Sequence, residues 1–362
     1  MSAPVRQPFK VTASEGFTSW LLENDLSLAL TTYQTGRLFL IGVAPNGELS
    51  IYERQFKHAL ALTWADNTLL LASEYEIWRL QNMIPYQEKF AKHYDACYVP
   101  HVCYVTGKVG VRDIAMDHTH RIIFANSLFN CLAVVSEFES FTPIWRPPFI
   151  SSMLPEDRCH VNGLALVEGR PKYVSMLGES DVAQGWRERR VTGGLVYDID
   201  TNKQVLRDLS LPHSPRYHQN QLYLLESGTG YLGYLHQDRS GAGQWVRQLL
   251  CPGFARGLSF HKHYAVIGVS QFKAGQHLPA VESIRQAGMK IRCGLVVADL
   301  KRNQIVHELS FEGGLRQVFA VTVLPGLRTP MLLGIMNEAR GGMIRAGGRL
   351  YCAATPARKD SH

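Results

Sequence analysis

No apolar run in the sequence approaches the roughly 18 residues that a membrane-crossing helix needs, which excludes an α-helical membrane protein. The opening residues, Met1 to Lys10, hold no apolar stretch of the kind a secretion signal carries, so the expected compartment is the cytoplasm. Cysteine is scarce and irregular. Cys97, Cys103, Cys131, Cys159, Cys251, Cys293 and Cys352 are odd in number and lack the paired spacing of a zinc site, which reads as free thiols in a reducing compartment. The net charge of +7 comes without aromatic–basic interleaving or a recognition helix, so neither nucleic acid nor a membrane is the expected partner. His118-Thr-His120 and His261-Lys-His263 have no third ligand type nearby and read as solvated turns, so no metal site is assigned to them.

What the chain does have is a module of short apolar strands that recurs about every fifty residues. Asp113-Ile-Ala-Met116 is followed by Ile122-Ile-Phe-Ala125, Gly163-Leu-Ala-Leu166 by Tyr173-Val-Ser-Met176, and Gly257-Leu-Ser-Phe260 by Ala265-Val-Ile-Gly268. Such a period built from strands points to an all-β fold, a single β-propeller. The innermost strands are expected to begin near 26, 58, 112, 162, 213, 256 and 318. Six blades fit best, with seven as the alternative. Pairing of N- and C-terminal strands would close the ring and protect its edges. Residues 1–16 read as a loose lead-in, 17–338 as the propeller, and 339–362 as a basic, flexible tail.

In a propeller blade the first strand runs from the top face down. The connections into strand one, and between strands two and three, therefore share the top face. Short turns such as Ala65-Asp-Asn67, Val167-Glu-Gly-Arg170 and His218-Gln-Asn220 fall on the bottom. Long insertions at 84–110, 143–160, 178–193 and 271–293 map to the top, the last with a short helix over 279–287. Length gathered on one face of a rigid scaffold is what a covered binding site needs.

Polar residues converge on that face. The starts of the inner strands offer His58, Arg112, Asp113, Asn162, His213, Arg216 and Arg256; the upper ends of the second strands add Asn126, Glu226, Ser270 and Asn337. Arginine is permanently charged and grips carboxylate or phosphate bidentately. Three arginines around one axis repel each other unless an anion lies between them, or unless Glu74, Asp113 and Glu226 already neutralise them. His160 and His213 are the candidate proton carriers, with Glu226 as the orienting acid. Cys159 beside His160 reads as a buried inert thiol.

Ser27-Leu-Ala-Leu-Thr-Thr-Tyr-Gln34, Trp145-Arg-Pro-Pro-Phe-Ile150, Pro155-Glu-Asp-Arg-Cys-His-Val-Asn-Gly-Leu164, His213-Ser-Pro-Arg216 and Leu225-Glu-Ser-Gly228 resemble an uncharacterised family of bacterial conserved hypothetical proteins, predicted to be β-propellers. The resemblance covers most of residues 20–337 and implies the fold without implying an activity or a cofactor.

The leading expectation is a cytoplasmic propeller that binds an anionic small molecule or peptide in the top-face channel. Arg112, Arg216 and Arg256 would hold the charge, Asn162 and His213 would orient it, and catalysis by a histidine stays open. A divalent-metal hydrolase or lactonase of the six-bladed kind is the rival, with Asp113, Asn126, Asn162, Glu226 and Asn337 as its oxygen donors. A protein-interaction scaffold is the third reading, with a protein as partner.

Overall fold

A computed structural model describes residues 9–237, 243–273, 275, 278–335 and 337–352. Six sheets radiate around a central channel, with a separate hairpin near the C-terminus. Blade one is built from both ends of the chain: Ala320–Pro325 is innermost, followed outward by Leu26–Thr32, Arg37–Val43 and Leu49–Gln55. Blades two to six run in chain order, their innermost strands being Leu62–Ala65, Val111–Met116, Val161–Val167, Pro212–His218 and Phe254–His261. The ring is thus closed as expected, with six blades. One mixed blade absorbs the strands left over at both ends.

The local chemistry follows from the sandwich. Leu26–Thr32 and Thr68–Ala72 are buried at every position, because a strand inside a propeller is covered on both faces and reads as a continuous apolar run. On the bottom face, Asp66-Asn67, Glu168-Gly169 and Gln219-Asn220 each adopt positive φ at both turn residues. This is the two-residue I′ geometry whose twist matches the strands it joins.

Four expectations change. Residues 26–32 form the second strand of their blade, and the inner position belongs to Ala320–Pro325. The lead-in contains a strand, Phe9–Ala13, which pairs with Gln304–Gly313 as a fifth strand of blade six. There Phe9 packs its ring 5.6 Å from Phe39 and 6.1 Å from Phe311. The insertion at 84–110 splits: residues 83–95 join strands three and four of blade two on the bottom face, 96–105 are strand, and only 106–110 reach the top. Part of the expected flexible tail is ordered: a 3₁₀ turn over Glu338–Gly342 leads into a hairpin of Met343–Ala346 with Arg349–Cys352. Met343 is buried there, its Sδ 3.6 Å from Cys97 Sγ. The rest of the tail, 353–362, lies outside the described residues. The insertions at 143–160, 178–193 and 271–293 do map to the top face, and the last carries the helix Pro279–Gln286 with proline in its first turn.

Candidate functional site

The inner strands of blades three to six share one irregularity. Each places one extra residue opposite its neighbour near the top: Arg112-Asp113, Asn162, Ser214-Pro215 and Arg256-Gly257 lie in those bulges. Bulges break the pleat and re-aim side chains, and all four lie near the upper ends of their strands, where Arg112, Asn162 and Arg256 stand. At Gly257 the bulge demands glycine. Its φ is +84°, and a Cβ would lie 2.8–2.9 Å from the backbone of Val321 and Ala320 in blade one.

The three arginines part company. Arg216 donates to both oxygens of Asp113, at 2.6 and 2.9 Å, and to the Leu164 carbonyl at 3.1 Å, while the Leu164 N–H donates to Asp113 at 3.1 Å. Blades three, four and five are tied together at mid-channel, and Arg216 borders a cavity at the lower end with Trp64, Tyr217 and Phe260. Neutralisation is the right account of this arginine, which is withdrawn from the anion site.

Arg112 and Arg256 have no such partner. They line a top-face cavity of about 270 Å³ with Tyr33, Phe254, Lys273, Gln317 and Phe319. Arg112 gives its Nε–H to the Ser127 hydroxyl at 3.3 Å, and the Arg256 guanidinium carbon lies 3.4 Å from the centroid of the Phe319 ring. Neither pairs with a carboxylate among the described residues. Asp113 is spent on Arg216, Glu226 on Arg247, and Glu74 on Lys108 and Lys57. Those two lysines hold the Glu74 carboxyl down at about 2. Burial, then the field of Arg112, pulls Arg256 down to about 9, and burial also lowers Arg112. Both stay protonated at neutral pH. Tyr33, stacked between His58 and Phe319, forms the rim, and His58 lies 3.6 Å from Glu74 there.

Both candidate histidines are beside these arginines. His160 Nδ1 lies 2.8 Å from Asp157, and its ring packs 4.4 Å from Trp186 of the 178–193 loop. His213 Nδ1 lies 2.9 Å from the Leu211 carbonyl and 2.9 Å from the Ser227 hydroxyl. That hydroxyl gives its hydrogen to the Ala255 carbonyl at 2.6 Å, so it accepts from His213. Both rings therefore carry their proton on Nδ1. Neither Nε2 hydrogen-bonds a described residue. Burial, opposed by Asp157 and reinforced by Arg112 and Arg256, takes His160 down to about 4. Burial and Arg256 push His213 well below its ordinary value.

Several expected ligands are otherwise engaged. Asn162 donates to the Pro212 carbonyl at 2.7 Å and accepts from Ser175 at 2.8 Å, pinning blade four to blade five. Ser270 exchanges hydrogen bonds with the backbone of Val318. Asn126 accepts from the Phe129 N–H within its own turn, and its buried Nδ2 has no partner among the described residues. Asn337 caps the 3₁₀ turn in a peripheral groove between blades one and two, away from the channel. Glu226 points outward: Ser210 N–H, Thr229, Trp245 and Arg247 all donate to it at 2.6–3.1 Å, so it does not orient His213. Glu226→Gln is expected to cost about 1–3 kcal/mol, read as a lower unfolding midpoint, with ligand-induced stabilisation unchanged. Loss of that stabilisation alone would return Glu226 to the site. No three His, Cys, Asp or Glu side chains converge as a metal cage among the described residues. The main residue that sequence reasoning left without a role is Asp157, whose spacing of three from His160 was the available signal.

A family model for a domain of unknown function, DUF4915, matches residues 15–333. None of the curated proteins matches the chain. Among solved structures, the chain is similar to one in a crystal structure of a nidogen/laminin complex (TM-score 0.51, 11% identity, 83% of this chain and 99% of that one). It is also similar to a protein of unknown function from Bacteroides caccae (TM-score 0.49, 10% identity, 83% and 98%). At 11% identity the first likeness shows the fold alone.

Proposed function

The chain belongs to the DUF4915 family, and from that premise we propose that it binds a small anionic ligand in its top-face channel, held by Arg112 and Arg256. The observation that carries this reading is two guanidinium groups facing one cavity of about 270 Å³ with no carboxylate between them. Removing a charged group from water costs several kcal/mol unless a partner offsets it, and two like charges add mutual repulsion. An anion relieves both. The volume suits a small metabolite better than a peptide; the 271–293 insertion contributes Gln271 and Lys273 to the lining, and the 143–160 and 178–193 loops place Asp157, His160 and Trp186 beside the arginines. The two cations disfavour a divalent metal there, and Asp113 and Glu226 are already spent on arginines. Seven unpaired cysteines support a reducing cytoplasm as its compartment.

The test is thermal unfolding with phosphate, succinate or citrate against chloride at equal ionic strength. Ligand at about 100 times its dissociation constant stabilises by about 2.7 kcal/mol. Arg256→Gln is expected to remove that gain while leaving the ligand-free midpoint equal to or above wild type, since it relieves the repulsion. A ligand-free midpoint that collapses in Arg256→Gln, with no anion effect in the wild type, would assign the arginine to structure.

A further inference from the structure

We propose that the site takes a doubly charged oxyanion, a phosphate monoester or a dicarboxylate, and that His160 takes up a proton from solvent as the ligand binds and donates it from Nε2. The inference rests on the anion site proposed above. His160 Nδ1–H is committed to Asp157, so the ring is held in one tautomer and Nε2 is the nitrogen left to act. His213 is fixed in the same way, but by a carbonyl and a hydroxyl, neither of which holds a cation as a carboxylate does. Of the two rings, only His160 is built to become an imidazolium.

The charges fix the ligand class. Two guanidiniums and one imidazolium, less the Asp157 carboxylate, leave two positive charges to be met; Lys273 also lines the cavity but has an interaction of its own and stands outside that sum. A monocarboxylate would leave one of them uncompensated. The groups that act on His160 are Asp157, Arg112, Arg256, His213 and the Trp186 indole. Nearby Arg158 is spent on Glu156 and Asp181, while Arg187 lies over the Trp186 ring and its charge also acts on Arg112. In the free protein burial and the two guanidiniums keep His160 neutral, near 4. A dianion between the guanidiniums cancels their push and leaves Asp157 pulling the other way, so the histidine's pKa rises on binding. Affinity must then grow as pH falls through the bound-state value, by up to about tenfold per unit for one proton. His213 keeps its bare Nε2 as an acceptor for a ligand hydroxyl.

Sulfate is a suitable probe, because it stays doubly charged across the range. Calorimetry from about pH 5.5 to pH 8, in buffers of differing ionisation heat, is expected to show uptake of up to one proton and tighter binding at the acid end. Both signatures should vanish in His160→Gln and Asp157→Asn, which keep weaker, pH-independent binding, and should persist in His213→Gln. Sulfate binding that Arg256→Gln abolishes, but that is flat with pH and independent of buffer, overturns the proton-linked proposal and leaves the anion site standing. A pH slope that survives in His160→Gln overturns the assignment to His160, and one that survives only in Asp157→Asn overturns the role given to Asp157. The absence of any Arg256-dependent sulfate binding overturns both readings.

Discussion

Asp113→Ala is expected to destabilise the protein by about 3–5 kcal/mol, a fall of the order of 10 °C in the unfolding midpoint for a chain of this size. Asp113 is buried and serves three blades at once: it accepts both guanidinium nitrogens of Arg216 from blade five and the Leu164 N–H from blade four. Removing it leaves a cation in mid-channel and an orphaned N–H. Arg216 retains a quarter of its side-chain exposure, which draws the expected loss toward the lower figure. Replacing both partners, as Asp113→Leu with Arg216→Met, should recover much of the loss, because well-packed apolar residues often substitute for a buried pair without net cost. Urea denaturation followed by circular dichroism measures each corner of that cycle. A single-mutant loss below about 1 kcal/mol would mean the pair behaves as an exposed one and does not tie the blades.

Ending the chain after Arg316 is expected to abolish cooperative folding altogether. Ala320–Pro325 is the innermost strand of blade one, in register with Leu26–Thr32 from the other end of the chain. Its loss strips Val321 and Val323 from one core cluster and Phe319, Ala320 and Leu324 from another. It also opens two blade edges to pairing with other chains. A peptide of residues 317–352 added in trans should restore the sigmoidal unfolding transition, since closure is by non-covalent pairing. Among the described residues, deleting 1–13 removes only the outermost strand of blade six, so that variant should fold with a reduced midpoint. A truncated chain that unfolds with the wild-type midpoint would contradict closure by the terminal strand.

The repeat was legible because it is written in burial. Starts expected near 112, 162, 213 and 256 lie beside the strands that begin at Val111, Val161, Pro212 and Phe254. Radial order was not legible at the ends. Leu26–Thr32 and Ala320–Pro325 are both buried and apolar, and a strand covered on both faces looks the same in first or second place. Asn337 was misplaced for the same reason. Pro330–Leu332 reads as a closing strand, yet it pairs in parallel with Ala96–Val105 on the outside of blade two.

The amino-acid sequence by itself determined the periodic strands, the short turns of the bottom face and the polar residues at the starts of the inner strands. All of these are set by interactions within a few residues of one another. Which arginine meets a carboxylate was decided only by the tertiary structure. Arg112, Arg216 and Arg256 are chemically alike, and the partner of each depends on bulges in separate blades meeting across the channel, 103 positions apart in the case of Asp113 and Arg216. Ion pairing falls off within a few ångströms, so spacing along the chain carries no record of it.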